Sequence, residues 1–425
     1  MNIIQYPKKE EHERFLRRPQ KDAADLGATV AAVLKDVREH GDEAVLRYEV
    51  MFDKAELESL RVTDEELRVA ETMISADLKS AIRLAHTNIT RFHEAQRMNT
   101  VCVETAPGVF CRQKSVAIEK VGLYIPGGTA PLFSTVLMLA APARIAGCSE
   151  IVLCSPPSRD GTLHPAILFA AGVAGVNSIY KCGGVQAIGA MAYGTESVPR
   201  VSKIFGPGNQ YVMCAKQQVS MTDVAIDMPA GPSEVAIVAD KTCHPEYVAA
   251  DMLSQAEHGV DSQSILFTDS EAVAEAVSRE VENQLESLPR KNMAKRSLEH
   301  SCIVVLRDIQ EAFDICNEYA PEHLIVAMDS AMDWEDKVIN AGSVFLGHYS
   351  CESAGDYASG TNHTLPTSGY AKAYSGVNLD SFCRKITFQH LTREGINSIG
   401  RAVEVMAEAE SLDAHRRAMT LRMNN

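Results

Sequence analysis

The sequence of 425 residues predicts an α/β protein built from parallel sheets with helices on both faces. Two observations carry this. Short β-rich runs recur from about residue 115 to residue 346, and helical stretches separate most of them, which is the pattern of βαβ units. The chain is also too long for one ordinary core, so two or more domains are expected.

Along the chain, residues 1–20 are polar and basic and read as an arm. From Asp25 to about Arg97 the pattern is helical, with Val30, Val33, Leu34 and Val37 on one stripe. Strands are expected at 115–125, 150–155, 177–181, 201–205, 234–239, 262–268, 302–306, 324–328 and 343–346. The turns "IPGGTAP" (125–131), "FGPGN" (205–209) and "MPAGPS" (228–233) punctuate them. The last of these closes a compact α/β block, 124–234, large enough for a nucleotide-sized domain. A second α/β segment runs to about residue 350. The stretch 351–374, rich in Gly, Ser, Thr and Asn, is long and irregular enough to read as functional. From Gly395 the tail returns to helix, with Ile399, Val403 and Met406 on one face.

Composition narrows the partners. The balance of 41 basic against 56 acidic residues, a net charge of −15, argues against nucleic acid or an anionic membrane. The longest apolar runs, at 135–143 and 166–176, are well short of a membrane helix. The start, MNIIQYPKKEEHERFLRR, carries charges where a secretory signal needs an apolar core, so a cytoplasmic protein is expected. Eleven cysteines without a CxxC pair read as reduced thiols, and Cys148 and Cys154 as packing residues.

Four stretches hold candidate chemistry. In "SQAEHGVDS" (254–262), Gln255 and His258 lie three apart on one face and can reach one ion. Equally, they can be the last polar turn of a helix over 245–258, with Gly259 just past its end. Glutamine is an unusual zinc ligand. In "YAPEHLIV" (319–326), Glu322 and His323 precede a buried strand. On the strand they would point to opposite faces, but at a bend they converge as a water-activating carboxylate and a general base. The alternative is a capped helix–strand corner. "ESAGDYASGTNHTLPTSGYAKAYSG" (352–376) offers Asp356 and His363 among glycines that permit close approach to a ligand. In "EAESLDAHRR" (408–417), Glu410 and His415 diverge on an unbroken helix, but Ser411 can cap a new one and bring them together. Neither GxGxxG nor GxxxxGK[ST] occurs. "YIPGGTAP" and "FGPGNQY" can cradle a pyrophosphate at a helix start, or be plain turns.

Together these segments resemble the histidinol dehydrogenases. The resemblance rests on "VGLYIPGGTAPLFSTVLMLAAPARIAGC" (121–148), "KIFGPGNQYV" (203–212), "DMPAGPSE" (227–234), "DMLSQAEHGVDSQ" (251–263), "YAPEHL" (319–324), the 352–376 stretch and "AESLDAH" (409–415). They stand in family order, and the resemblance covers the chain from about residue 20 to the end. The resemblance implies two Rossmann-like parallel-sheet domains of the aldehyde-dehydrogenase-like kind, with a small N-terminal arm and a helical C-terminal segment. The main domain would comprise 21–123 and 235–380, the inserted NAD-binding domain 124–234, and the crossing tail 381–425. The implied reaction is the four-electron oxidation of L-histidinol to L-histidine through an enzyme-held aldehyde, with two NAD⁺.

One Zn²⁺ per subunit would be held by Gln255, His258, Asp356 and His415, all also facing the substrate. His323 would be the general base, also facing substrate, and Glu322 would activate water. Ser233, His363 and Glu410 would line the substrate pocket, and Tyr124, Gln186 and Asn209 would contact NAD. The resemblance also implies a homodimer in which Glu410 and His415 complete the neighbour's site. Cys351, where relatives commonly carry proline, is a local departure that leaves the ligands intact. A relative acting on another amino alcohol would differ at these pocket positions, and a non-catalytic binding protein would lack Glu322 or His323; neither difference occurs.

Overall fold

The computed structural model describes residues 1–19, 24–127, 130–229 and 231–424. Gly128 and Thr129 of the first expected turn, Ala230 of the third, and the expected border between arm and main domain lie outside the described residues. In chain order the strands are β1 (Asn2–Gln5), β2 (Val101–Ala106), β3 (Val109–Ala117), β4 (Lys120–Tyr124), β5 (Glu150–Ser155), β6 (Ser178–Lys181) and β7 (Lys203–Phe205). They continue as β8 (Ala225–Ile226), β9 (Glu234–Ala239), β10 (Gln263–Thr268), β11 (Cys302–Val305), β12 (His323–Ala327), β13 (Ser343–Leu346) and β14 (Cys383–Leu391).

Two parallel sheets dominate. One has the order β6-β5-β4-β7-β8 and the other β1-β11-β10-β9-β12-β13. Strands β9, β10 and β12 are buried at every residue, as central strands of a sheet covered on both faces must be. Each sheet accordingly has a separate apolar core on either face. No helix among the described residues is long and apolar enough to cross a membrane.

The structure departs from the sequence expectation in four places. The expected strand at 115–125 is two strands, because β3 leaves to pair antiparallel with β2 and β14 in a third sheet, while β4 starts the five-stranded one. The tail 381–425 is therefore not wholly helical: it opens with β14, followed by helices Arg393–Ala409 and Asp413–Met423. The arm is part of the fold. β1 adds an edge strand beside β11, and Arg18 donates to both carboxylate oxygens of buried Glu234, Nη2 to Oε1 at 2.8 Å. Finally, helices Ala24–Tyr48, Asp64–Met73 and Ala76–Glu94 pack on the five-stranded sheet. A border at 124 would assign them to the other sheet. Val30, Val33, Leu34 and Val37 instead join the core around the helix Gly184–Tyr193, where the missing side chain of Gly189 lets Val37 approach.

Candidate active site

The amino-terminal edge of the six-stranded sheet gathers the titratable groups. His323 opens β12 between β9 and β13, level with Val235 and Ser343. The helix Ile309–Tyr319 stops at Ala320, a non-glycine residue with a left-handed φ of 53°, and Pro321 follows. That bend, unfavourable for a residue with a Cβ, keeps Glu322 and His323 close together instead of on opposite faces. Both are buried. Glu322 Oε2 accepts the Glu234 N–H at 3.0 Å and stands 3.7 Å from His323 Nδ1. Glu352 Oε1 is also 3.7 Å from Nδ1, and Asp356 Oδ1 is 3.7 Å from Nε2. These separations are too long for hydrogen bonds, and both ring nitrogens are buried without a partner. Burial pushes the His323 ring down to about 3, so it is neutral at pH 7. Burial likewise holds the carboxyls of Glu322 and Glu352 well above the usual range; the Glu234 N–H and the Ser233 hydroxyl oppose this at Glu322.

Gln255 lies in the last turn of the helix Pro245–Ala256, fully buried, with neither amide atom hydrogen-bonded. A buried group left unpaired costs about 1–3 kcal/mol, so this amide points to a ligand. The helix ends two residues earlier than expected, and Gly259 has no left-handed φ; it is not a glycine cap. His258, just beyond, shares a cluster with Glu352 and Asp356 in which the potential ligand atoms all lie within 4.8 Å of one another. Imidazole, carboxyl and amide donors short of partners are a set that a divalent cation satisfies. Glu352 is the residue that the sequence reading lacks. Its signal was the i, i+4 spacing to Asp356, which sets both on one face of the helix Glu352–Tyr357 in a stretch that reads as loop.

His363 bridges the two parallel sheets. Its Nδ1 lies 2.9 Å from the Asp356 carbonyl oxygen, so it must carry the proton, and Nε2, 3.0 Å away, accepts from the Thr135 hydroxyl. Thr135 stands at the start of the helix that follows β4. Burial pushes His363 down to about 4, in keeping with this neutral tautomer.

Two expected site residues stand apart. Glu410 and His415 are exposed on the C-terminal helices, outside the cluster; His415 instead lines a cleft with Ile396, Val403 and Met419. The helix does break between them, but Ser411 does not cap it. Ser411 takes a left-handed φ of 59° and Leu412 occupies the cap position.

The three residues expected at NAD lie around the carboxyl ends of the five-stranded sheet. Tyr124 ends β4, Gln186 is in the first turn after β6, and Asn209 caps the helix after β7, accepting from the N–H groups of Tyr211 and Val212 at 3.0 and 3.1 Å. The sheet order reverses between β4 and β7, where open α/β sheets bind ligands. Gly206 permits the close approach of these two strand ends: with a φ of 125°, a Cβ there would meet the Tyr124 carbonyl oxygen at 2.1 Å. Cys148 and Cys154 are buried, and burial pushes the Cys148 thiol up to about 12, so it is no nucleophile.

Residues 16–423 match the histidinol dehydrogenase family. A histidinol dehydrogenase of Bacteroides thetaiotaomicron is 61% identical over 424 residues, covering 100% of this chain and 99% of that one. The Salmonella typhimurium histidinol dehydrogenase is 50% identical, over 98% of this chain and 95% of its own. The crystal structure of histidinol dehydrogenase from Elizabethkingia anophelis superposes with a TM-score of 0.98 at 52% identity, covering 100% of this chain and 98% of that one. The chain belongs to the histidinol dehydrogenase family and is an oxidoreductase of histidine biosynthesis.

Proposed function

We propose that the chain oxidises L-histidinol to L-histidine in two successive two-electron steps, with zinc and NAD⁺. The observation that carries this reading is the convergence of His323, Glu322, Asp356 and His258 at one sheet edge, with the buried, unpaired amide of Gln255 three residues before His258 in the chain. NAD⁺ supplies the hydride acceptor, once for the alcohol and once for the hydrated aldehyde. Zinc, without redox chemistry of its own, supplies charge that orients the substrate.

The remaining work belongs to the chain. His323, neutral and with free lone-pair capacity, takes the alcohol proton as hydride departs. The imidazolium so formed is stabilised by the three carboxyl groups around it. Positive charge on His323 in turn favours the ionised form of Glu322; once its proton has passed to solvent, the carboxylate removes a proton from the water that adds to the aldehyde. Gln255, His258 and Asp356 would hold the ion from one subunit, and His415 of the partner subunit would complete it. Ser233, His363 and Glu410 of the partner subunit would line the substrate pocket. The five-stranded sheet is the cofactor-binding unit in this reading, with Tyr124, Gln186 and Asn209 as contacts, and the six-stranded sheet carries the chemistry. The functional unit is a homodimer of the cytoplasm.

NADH release from L-histidinol tests the reading. Two NADH per substrate are expected, with activity lost on prolonged chelation and regained with Zn²⁺. A yield of one NADH, or indifference to the chelator, would sink it.

A further inference from the structure

A second group of buried polar atoms lies at the carboxyl ends of the five-stranded sheet. The π-helical turn Glu49–Asp53 follows the helix Ala24–Tyr48, and such turns are rare and frequently stand at functional sites. Its Val50, Met51 and Phe52 are exposed, whereas Glu49 is fully buried. Glu49 Oε1 faces two donors, the Gly183 N–H at 3.0 Å and Gln186 Nε2 at 2.9 Å. A peptide N–H can only donate, so Oε1 accepts there; with the proton of the neutral carboxyl on Oε2, the Gln186 atom facing Oε1 is the NH₂ group. This fixes which way round the amide lies. The Gln186 carbonyl oxygen is left buried and unpartnered. It rests against Gly184, where a φ of 59° and the absent Cβ make room; a Cβ there would lie 3.0 Å from it. The Gly184 N–H does not satisfy it, being donated to the Tyr124 hydroxyl at 3.1 Å.

We infer that Glu49 is a positioning residue for the cofactor: it locks the Gln186 amide so that a carbonyl oxygen, not an NH₂ group, is offered where β4 and β6 end, and a hydroxyl or amino group of NAD⁺ donates to it. The inference rests on the reading of Tyr124 and Gln186 as NAD⁺ contacts. It explains why a carboxyl is buried beside a site for an anionic cofactor: Glu49 acts through the amide.

Calorimetric titration of the full chain with NAD⁺ tests it. Glu49→Leu removes the acceptor and should weaken NAD⁺ by about tenfold, the loss expected for one neutral hydrogen bond. Glu49→Gln retains an acceptor oxygen for both donors and should bind as the wild type does. Gln186→Ala should weaken NAD⁺ to a similar extent, and Glu49→Leu combined with Gln186→Ala should bind no more weakly than Gln186→Ala alone. The KM for L-histidinol should stay unchanged throughout. If Gln186→Ala binds NAD⁺ normally, the cofactor site itself is misplaced. If Gln186→Ala weakens binding but Glu49→Leu does not, or if the two losses add, the positioning role is overturned; a parallel loss of L-histidinol affinity would also count against it. Should Glu49→Leu not fold, Glu49→Asp, one methylene too short to reach both donors, takes its place under the same criteria.

Discussion

His323 is held among three carboxyl groups without a hydrogen bond to any of them, an arrangement that waits for a substrate. His323→Ala should therefore lower turnover by at least about 10²-fold, the usual contribution of a general base, while zinc content stays near normal. Metal analysis of the purified variant checks this, and a loss of zinc in step with activity would make His323 a ligand or a structural residue. Gln255 invites a prediction of opposite sign in two measurements. Its buried amide is unsatisfied in the chain alone, so Gln255→Leu should raise the melting temperature of the metal-free protein, by an amount worth about 1–2 kcal/mol. The same change removes a proposed ligand, so the further rise on adding Zn²⁺ should shrink. If Gln255→Leu destabilises the metal-free protein, the amide has a partner in solution and is not waiting for an ion.

At the scale of elements, the π-turn at Glu49–Asp53 should leave a mark on stability. Burial raises Glu49 from 4.5 to about 8, with the neighbouring Asp53 also pushing it upward. Between those values the folded chain keeps a proton that the unfolded chain has released, so stability falls as pH rises through that window and levels off above about 8. Glu49→Gln cannot titrate. Its advantage over the wild type should grow from about pH 5 to pH 8, reaching about 2–4 kcal/mol, as urea unfolding at pH 5 and pH 9 would show. Equal differences at both pH values would mean that Glu49 is ionised throughout. Elements of this kind are also where the sequence was least legible. The buried parallel strands announce themselves, and β9 and β13 fall at 234–239 and 343–346 as expected, because apolar strands between helices have few other readings. The antiparallel sheet was missed because β2 and β14 are mostly exposed along their length and lack a clean alternation. The convergence of Glu322 and His323 depends on the left-handed φ of Ala320, which no spacing rule encodes. Glu352 was hidden because a six-residue helix inside a Gly-rich stretch carries almost no periodic signal.

For the whole molecule, the C-terminal third sheet and helices look unfinished in a single chain. Val101, Val103, Ile386 and Phe388 are exposed on the antiparallel sheet, and Val405, Met406, Leu412 and Leu421 on the helices that pack beside it. Ile386 and Phe388 share one face of the sheet and Val101 and Val103 the other, and the exposed apolar residues from Ile386 onward lie on the same segment that carries Glu410 and His415; apolar exposure of this kind marks an interaction surface. A homodimer that exchanges these tails would cover the surface and deliver both residues to the neighbour's cluster. Complementation decides it. His415→Ala and Glu322→Gln homodimers should each be nearly inactive, since every site in them lacks one group. Unfolded together and refolded as a mixture, they form heterodimers in which one of the two sites combines an intact Glu322 with an intact tail from the other subunit. With random pairing, about half of the dimers are mixed and half of their sites are whole, so about a quarter of the wild-type activity should return. Two dead variants that stay dead after mixing, while native mass spectrometry of differently tagged subunits shows that they form mixed dimers, would place His415 with the cluster of its own subunit and overturn the exchange.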